Sequence, residues 1–98
     1  MASIFIARLT YKVPLARIDE ALVDHLAFLK AGQAAGHFIA WGPCEPRDSG
    51  LVFIKTTSRA AAEALMAGDP FIAQGLADMT ITEWTPRFAF PGLEAFNG

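Results

Sequence analysis

The chain has 98 residues, 53% of them hydrophobic and 18% charged, which is enough for one domain and too apolar for a disordered chain. Ten acidic against eight basic residues leave a net charge of −2, and no basic stripe stands out, so nucleic acid is not an expected partner. Ser3 to Tyr11 opens the chain as a predicted strand. Ile4, Ile6, Arg8 and Thr10 fall on one face, and Phe5, Ala7, Leu9 and Tyr11 on the other. Pro14 ends that strand or opens the next element.

The spacing of Ile18, Ala21, Leu22, His25, Leu26, Phe28, Leu29 and Gly32 predicts a helix from Ile18 to Gly36, with Gly36 as its C-terminal stop. A second strand, His37 to Trp41, is stopped by Gly42-Pro43. The polar loop Glu45 to Gly50 suits a hairpin connection. Leu51 to Thr56 reads as a third strand, apolar on both faces. Ser58 is a good N-cap for a short helix from Arg59 to Ala67. Asp69-Pro70 starts a further turn of helix that Gly75 closes, and Met79 to Arg87 is the last predicted strand. These elements divide the chain into a domain over residues 1–87 and a tail over 88–98 that carries Phe88, Phe90, Leu93 and Phe96.

The order βαββαβ predicts an α+β fold of the ferredoxin-like type, a four-stranded antiparallel sheet with its helices on one face. Helices on one face cannot cover the other, yet the strands from Ser3 and from Leu51 are apolar on both sides. A homodimer through the open face is the simplest remedy; a tail folded back over a monomer is the alternative. One cysteine, Cys44, cannot close an internal disulfide. The N-terminus lacks a signal-peptide pattern, and no stretch reaches the ~18 apolar residues of a membrane span. A cytoplasmic protein with no membrane partner is expected.

His25 lies near the centre of the helix's apolar face, where leaving an imidazole unpaired costs roughly 1–3 kcal/mol. On periodicity alone a structural histidine bonded to a backbone carbonyl accounts for the position; the functional reading is a general acid/base. Asp69 precedes Pro70 and can cap the following turn, orient His25, or do both with its two oxygens. Arg8, in an apolar stripe, can hold a substrate anion or extend to the sheet edge. Cys44 has no adjacent base and reads as inert. His25 and His37 lack the spacing of a helical metal pair, and no phosphate-cradling or dinucleotide pattern is present, so no cofactor is expected.

His25-Leu26 with Phe28-Leu29, Gly36-His37-Phe38 followed by Gly42-Pro43, and Asp69-Pro70-Phe71 followed by Gly75-Leu76 together resemble the YciI-like (YCII-related domain) family of the dimeric α+β barrel superfamily. The similarity runs from about Ile4 to about Arg87. It implies a ferredoxin-like fold, a dimer with sheets packed face to face, and a cleft in which the residues matching His25 and Asp69 form a catalytic pair. Gly42, Pro43 and Phe71 from these motifs, with Arg8, are then expected to bind substrate. Many members carry Arg or Lys where this chain has His37, so the resemblance does not carry an anion contact over to that position. The resulting expectation is a cofactor-independent enzyme in which His25 moves a proton on a small, anionic organic metabolite, by isomerisation, elimination or hydrolysis. The alternative is a non-catalytic binding or accessory protein that uses the same cleft.

Overall fold

The structure, a computed structural model, describes residues 3–88 and 91–96. Phe90 and the first two and last two residues of the chain lie outside the described residues. Strand β1 (Ser3–Tyr11) is followed by helices α1 (Leu15–Glu20) and α2 (Leu22–Ala34), then by the hairpin of β2 (Phe38–Pro43) and β3 (Ser49–Thr56). Helices α3 (Arg59–Met66) and α4 (Pro70–Ala73) lead into β4 (Ala77–Trp84), and a 3-10 turn, Glu94–Phe96, follows. The four strands pair antiparallel in the order β2-β3-β1-β4. This is the ferredoxin-like βαββαβ arrangement, α+β, with β1 and β3 in the middle.

Alternation along β1 sets the two faces. Phe5, Ala7 and Leu9 are buried against the helices with Val52 and Ile54 of β3, Ile18, Leu29, Ala62, Met66 and Phe71. Full burial of such side chains contributes about 1.5–3 kcal/mol each, which is the main force holding helices to sheet. Ile4, Ile6, Arg8 and Thr10 point the other way, with Leu51, Phe53 and Lys55 of β3 as their cross-strand partners. That face carries no helix. Phe96 of the tail packs edge-on against Phe53 and Trp84, with ring centroids 5.5 and 6.4 Å apart, so the tail does fold back over one end of the open face. Ile6, Leu51 and Phe53 stay partly exposed there.

Several boundaries differ from the sequence reading. The predicted Ile18–Gly36 helix starts earlier, at Leu15, because Pro14 sits at the N-cap position and its carbonyl accepts from Arg17 and Ile18. It is interrupted at Ala21, so His25 lies in the first turn of a separate helix. Gly42-Pro43 does not stop β2. Pro43 pairs with Gly50 at the end of the hairpin, which is permitted because β2 is an edge strand and a missing N–H costs no ladder bond on its outer side. β4 ends at Trp84 rather than Arg87, because its pairing runs from Ala77 opposite Tyr11 to Trp84 opposite Ile4, where β1 itself runs out.

One irregularity matters for the site. Phe38 pairs with Ile54, Ala40 with Phe53 and Trp41 with Val52, so β2 holds one extra residue between Phe38 and Ala40. This bulge puts Phe38 and Trp41, three positions apart, on the same helix-covered face, where strict alternation would send them to opposite sides.

Candidate active site

Helix α2 and the sheet separate near the end of β2, leaving a cavity of about 330 Å³. Its walls are mainly apolar: Leu9 and Val52 from the sheet, Leu22, Leu26 and Leu29 from α2, and the redirected Trp41. Leu26, on the predicted core face of the helix, is exposed in part because it borders this space rather than packing into the core.

His25 lines the cavity from the first turn of α2. Its Nδ1 lies 2.8 Å from Asp69 Oδ1, with side-chain exposures of 11% and 0%. A carboxylate only accepts, so Nδ1–H donates, and in the neutral ring Nε2 carries the lone pair. Nε2 has no protein partner among the described residues. The imidazole is stacked on Phe71, with centroids 3.8 Å apart and planes 6° apart. Ring stacking and the Asp69 bond together fix both the position and the tilt of the imidazole.

Asp69 is placed by local sequence. It has the extended backbone that Pro70 demands, and it caps α4: its Oδ1 accepts from Phe71 N at 3.0 Å. Capping and orientation of His25 do coexist, but on one oxygen rather than on two. The other oxygen, Oδ2, is buried with no hydrogen-bond partner. A buried polar oxygen without a partner is costly.

A second polar group stands elsewhere in the wall. Tyr11, at the end of β1, and Arg47, in the hairpin loop, both line the cavity, as does Asp19 of α1. Arg47 donates to Asp19 Oδ1, which ties the loop to α1. That bond holds the Arg47 guanidinium above the ordinary arginine range, and the nearby Tyr11 side chain adds to the rise. Burial raises Tyr11 above the ordinary tyrosine value, against the lowering influence of Arg47, so it stays a neutral donor. Sequence reasoning missed all three residues. Tyr11 carried a signal, as the one polar-tipped side chain on the helix-facing side of β1. Arg47 carried none, because a loop has no periodicity to read.

Of the residues predicted to bind substrate, Gly42, Pro43 and Phe71 line the cavity with His25. Arg8 does not. Its side chain is on the opposite, open face of the sheet, where Nη1 donates to Ser49 Oγ at 3.2 Å and lies 3.8 Å from Cys44 Sγ. The expectation that Arg8 holds a substrate anion beside His25 is therefore corrected: alternation along β1 sends Leu9 and Tyr11 to the cavity and Arg8 away from it. Cys44 is a free thiol bordering a shallower hollow on that open side. Among the described residues no cluster of three or more histidine, cysteine, aspartate or glutamate side chains could hold a metal ion, and no helix is long and apolar enough to cross a membrane.

The YCII-related domain family model matches residues 4–85 of the chain. Among solved structures, the chain is similar to 5-chloro-2-hydroxyhydroquinone dehydrochlorinase (TftG) from Burkholderia phenoliruptrix AC1100, in complex with 2,5-dihydroxybenzoquinone. That similarity has a TM-score of 0.69 at 19% identity, over 84% of this chain and 93% of the other. It is also similar to SnoaB, a cofactor-independent oxygenase from Streptomyces nogalater, with a TM-score of 0.54 at 15% identity over 92% of this chain and 97% of that one. A mutant of SnoaB aligns with a TM-score of 0.52 at 16% identity, over the same shares of the two chains. No curated protein matches the sequence significantly.

Proposed function

The chain belongs to the YCII-related domain family, and we propose that it is an enzyme in which His25 moves a proton on a small organic molecule held in the cavity beside α2. The observation that carries this reading is the 2.8 Å bond from His25 Nδ1 to the buried Asp69, which leaves Nε2 as the free ring nitrogen in a largely apolar wall. Nε2 takes a proton from a C–H or O–H of the substrate. The imidazolium so formed is balanced by the Asp69 carboxylate through the Nδ1 hydrogen bond. His25 then returns the proton at a second atom or to a leaving group. Isomerisation, elimination and hydrolysis all use such a shuttle. Elimination has a parallel in TftG, a dehydrochlorinase of similar fold; a cofactor-independent reaction has one in SnoaB.

The test is a screen of small hydroxylated and halogenated ring compounds, by thermal shift and then by turnover, on the wild type, His25→Asn and Asp69→Asn. The expected result is a substrate whose turnover falls at least about 100-fold in His25→Asn while its affinity survives. Unchanged turnover in that variant overturns the reading. A ligand that binds and is never converted identifies a binding module instead.

The open sheet face is assigned to a second copy of the chain. Ile6, Leu51 and Phe53 remain partly exposed there, and Trp84 is 39% exposed even with Phe96 against it. An apolar sheet face of this kind is what a second identical face covers in an isologous dimer. Sedimentation at micromolar concentration is expected to give a dimer; a stable monomer would remove the assignment. The free thiol of Cys44 suits the reducing cytoplasm.

A further inference from the structure

Beyond the His25–Asp69 pair, the cavity wall contains a second cluster of polar side chains: Tyr11, Asp19 and Arg47. They come from three separate parts of the chain, the end of β1, helix α1 and the hairpin loop, and the Arg47–Asp19 bond joins the last two. We propose that Tyr11 and Arg47 form the subsite that recognises a substrate oxygen, and that the substrate is a flat, single-ring compound bearing a hydroxyl or carbonyl group. This deepens the reading of the cavity as the site of His25 chemistry and rests on it.

Charge decides which oxygen is recognised. Arg47 is the permanent cation among the described cavity residues, and Asp19 already meets its charge. A carboxylate would face a neutralised pair and would bring a second negative charge towards Asp69. A hydroxyl or carbonyl oxygen needs only donors, and these are present: the phenol of Tyr11 and the guanidinium N–H groups that Asp19 does not use.

Shape points to a single ring. Phe71 carries the His25 imidazole flat on its face and Tyr11 edge-on at 5.8 Å, so both groups are anchored on one side chain. A six-membered ring lying on the apolar wall of the cavity that both residues line can meet each of them. The remaining wall is aliphatic side chains with the Trp41 indole, suited to a ring face and poor for a flexible polar chain.

The probes are 4-nitrophenol, held at a pH that keeps its hydroxyl protonated, nitrobenzene, which lacks that hydroxyl, and 4-nitrobenzoate. Calorimetry of the full chain is expected to show 4-nitrophenol binding about tenfold more tightly than either of the others. Tyr11→Phe and Arg47→Gln, each checked by circular dichroism and melting, are expected to bring the phenol-to-nitrobenzene ratio towards one with nitrobenzene affinity unchanged. The ratio is read in Tyr11→Phe and Arg47→Gln and turnover is read in His25→Asn, so failure of this subsite and failure of the proton-transfer reading are distinguishable. A wild type that binds 4-nitrophenol no better than nitrobenzene, that fails to bind it, or that prefers the benzoate overturns the proposal. So does a ratio that both Tyr11→Phe and Arg47→Gln leave intact.

Discussion

The imidazole of His25 lies flat on the ring of Phe71, centroids 3.8 Å and planes 6° apart, so the residue that caps onto Asp69 through its backbone also supports the histidine through its ring. Asp69 and Phe71 are two positions apart in one short turn, and together they hold the imidazole by an edge and a face. Phe71→Leu removes the stack while keeping an apolar side chain. It is expected to cost about 1–3 kcal/mol in urea unfolding. The ring-current displacement of the His25 imidazole protons in NMR spectra should vanish in the same variant. A displacement retained in that variant would show that an aromatic ring other than Phe71 lies against the imidazole.

Asp69 makes two hydrogen bonds through one oxygen, and its substitutions separate charge from geometry. Asp69→Ala strands both Phe71 N–H and His25 Nδ1–H and is expected to destabilise by about 1–3 kcal/mol. Asp69→Asn keeps an acceptor in the same place and is expected to lose less stability than the alanine variant while losing turnover as His25→Asn does. Equal unfolding free energies for the two variants would contradict the bonding described.

Tyr11 is the single tyrosine of the sequence, so the phenolate absorbance of the folded protein reports on it alone. Burial raises its pKa above the ordinary 10.0, and Arg47 works against that rise. The alkaline midpoint is expected above that of the unfolded chain, and higher still in Arg47→Gln. The folded phenol holds its proton more tightly than the unfolded one. Its stabilising contribution is therefore complete below the unfolded-state value and is lost as pH rises through the folded-state value. A midpoint lower in Arg47→Gln than in the wild type would reverse the assigned influence of Arg47.

Gly32 lets α2 approach β2. A Cβ built there falls 2.1 Å from the Phe38 ring, which is itself buried, so the ring cannot swing into solvent. Gly32→Ala is expected to destabilise by about 1–3 kcal/mol despite alanine's better helix propensity. The double variant Gly32→Ala with Phe38→Leu should recover part of that loss, measured by urea midpoints.

Arg8 lies on the sheet face away from the cavity. Arg8→Ala is expected to leave 4-nitrophenol affinity within about twofold of the wild type. A tenfold loss would place Arg8 in the binding site after all.

Much of this molecule is written locally. Alternation along β1, the cap at Ser58 and the Asp69-Pro70 turn are each properties of a few neighbouring residues, whereas the single helix expected from Ile18 is broken at Ala21. That is why element order and the antiparallel sheet are legible in the sequence, and why His25 and Asp69 stand out in it. The rest depended on contacts between distant segments. The bulge before Ala40 aims Trp41 into the cavity, and no pattern in His37–Trp41 announces it, because a bulge is defined by the strand opposite. Arg47 meets Asp19 across 28 positions of chain, from a loop without periodicity. Arg8 and Tyr11 share a strand, and only the layer packed on each face determined which of the two lines the cavity.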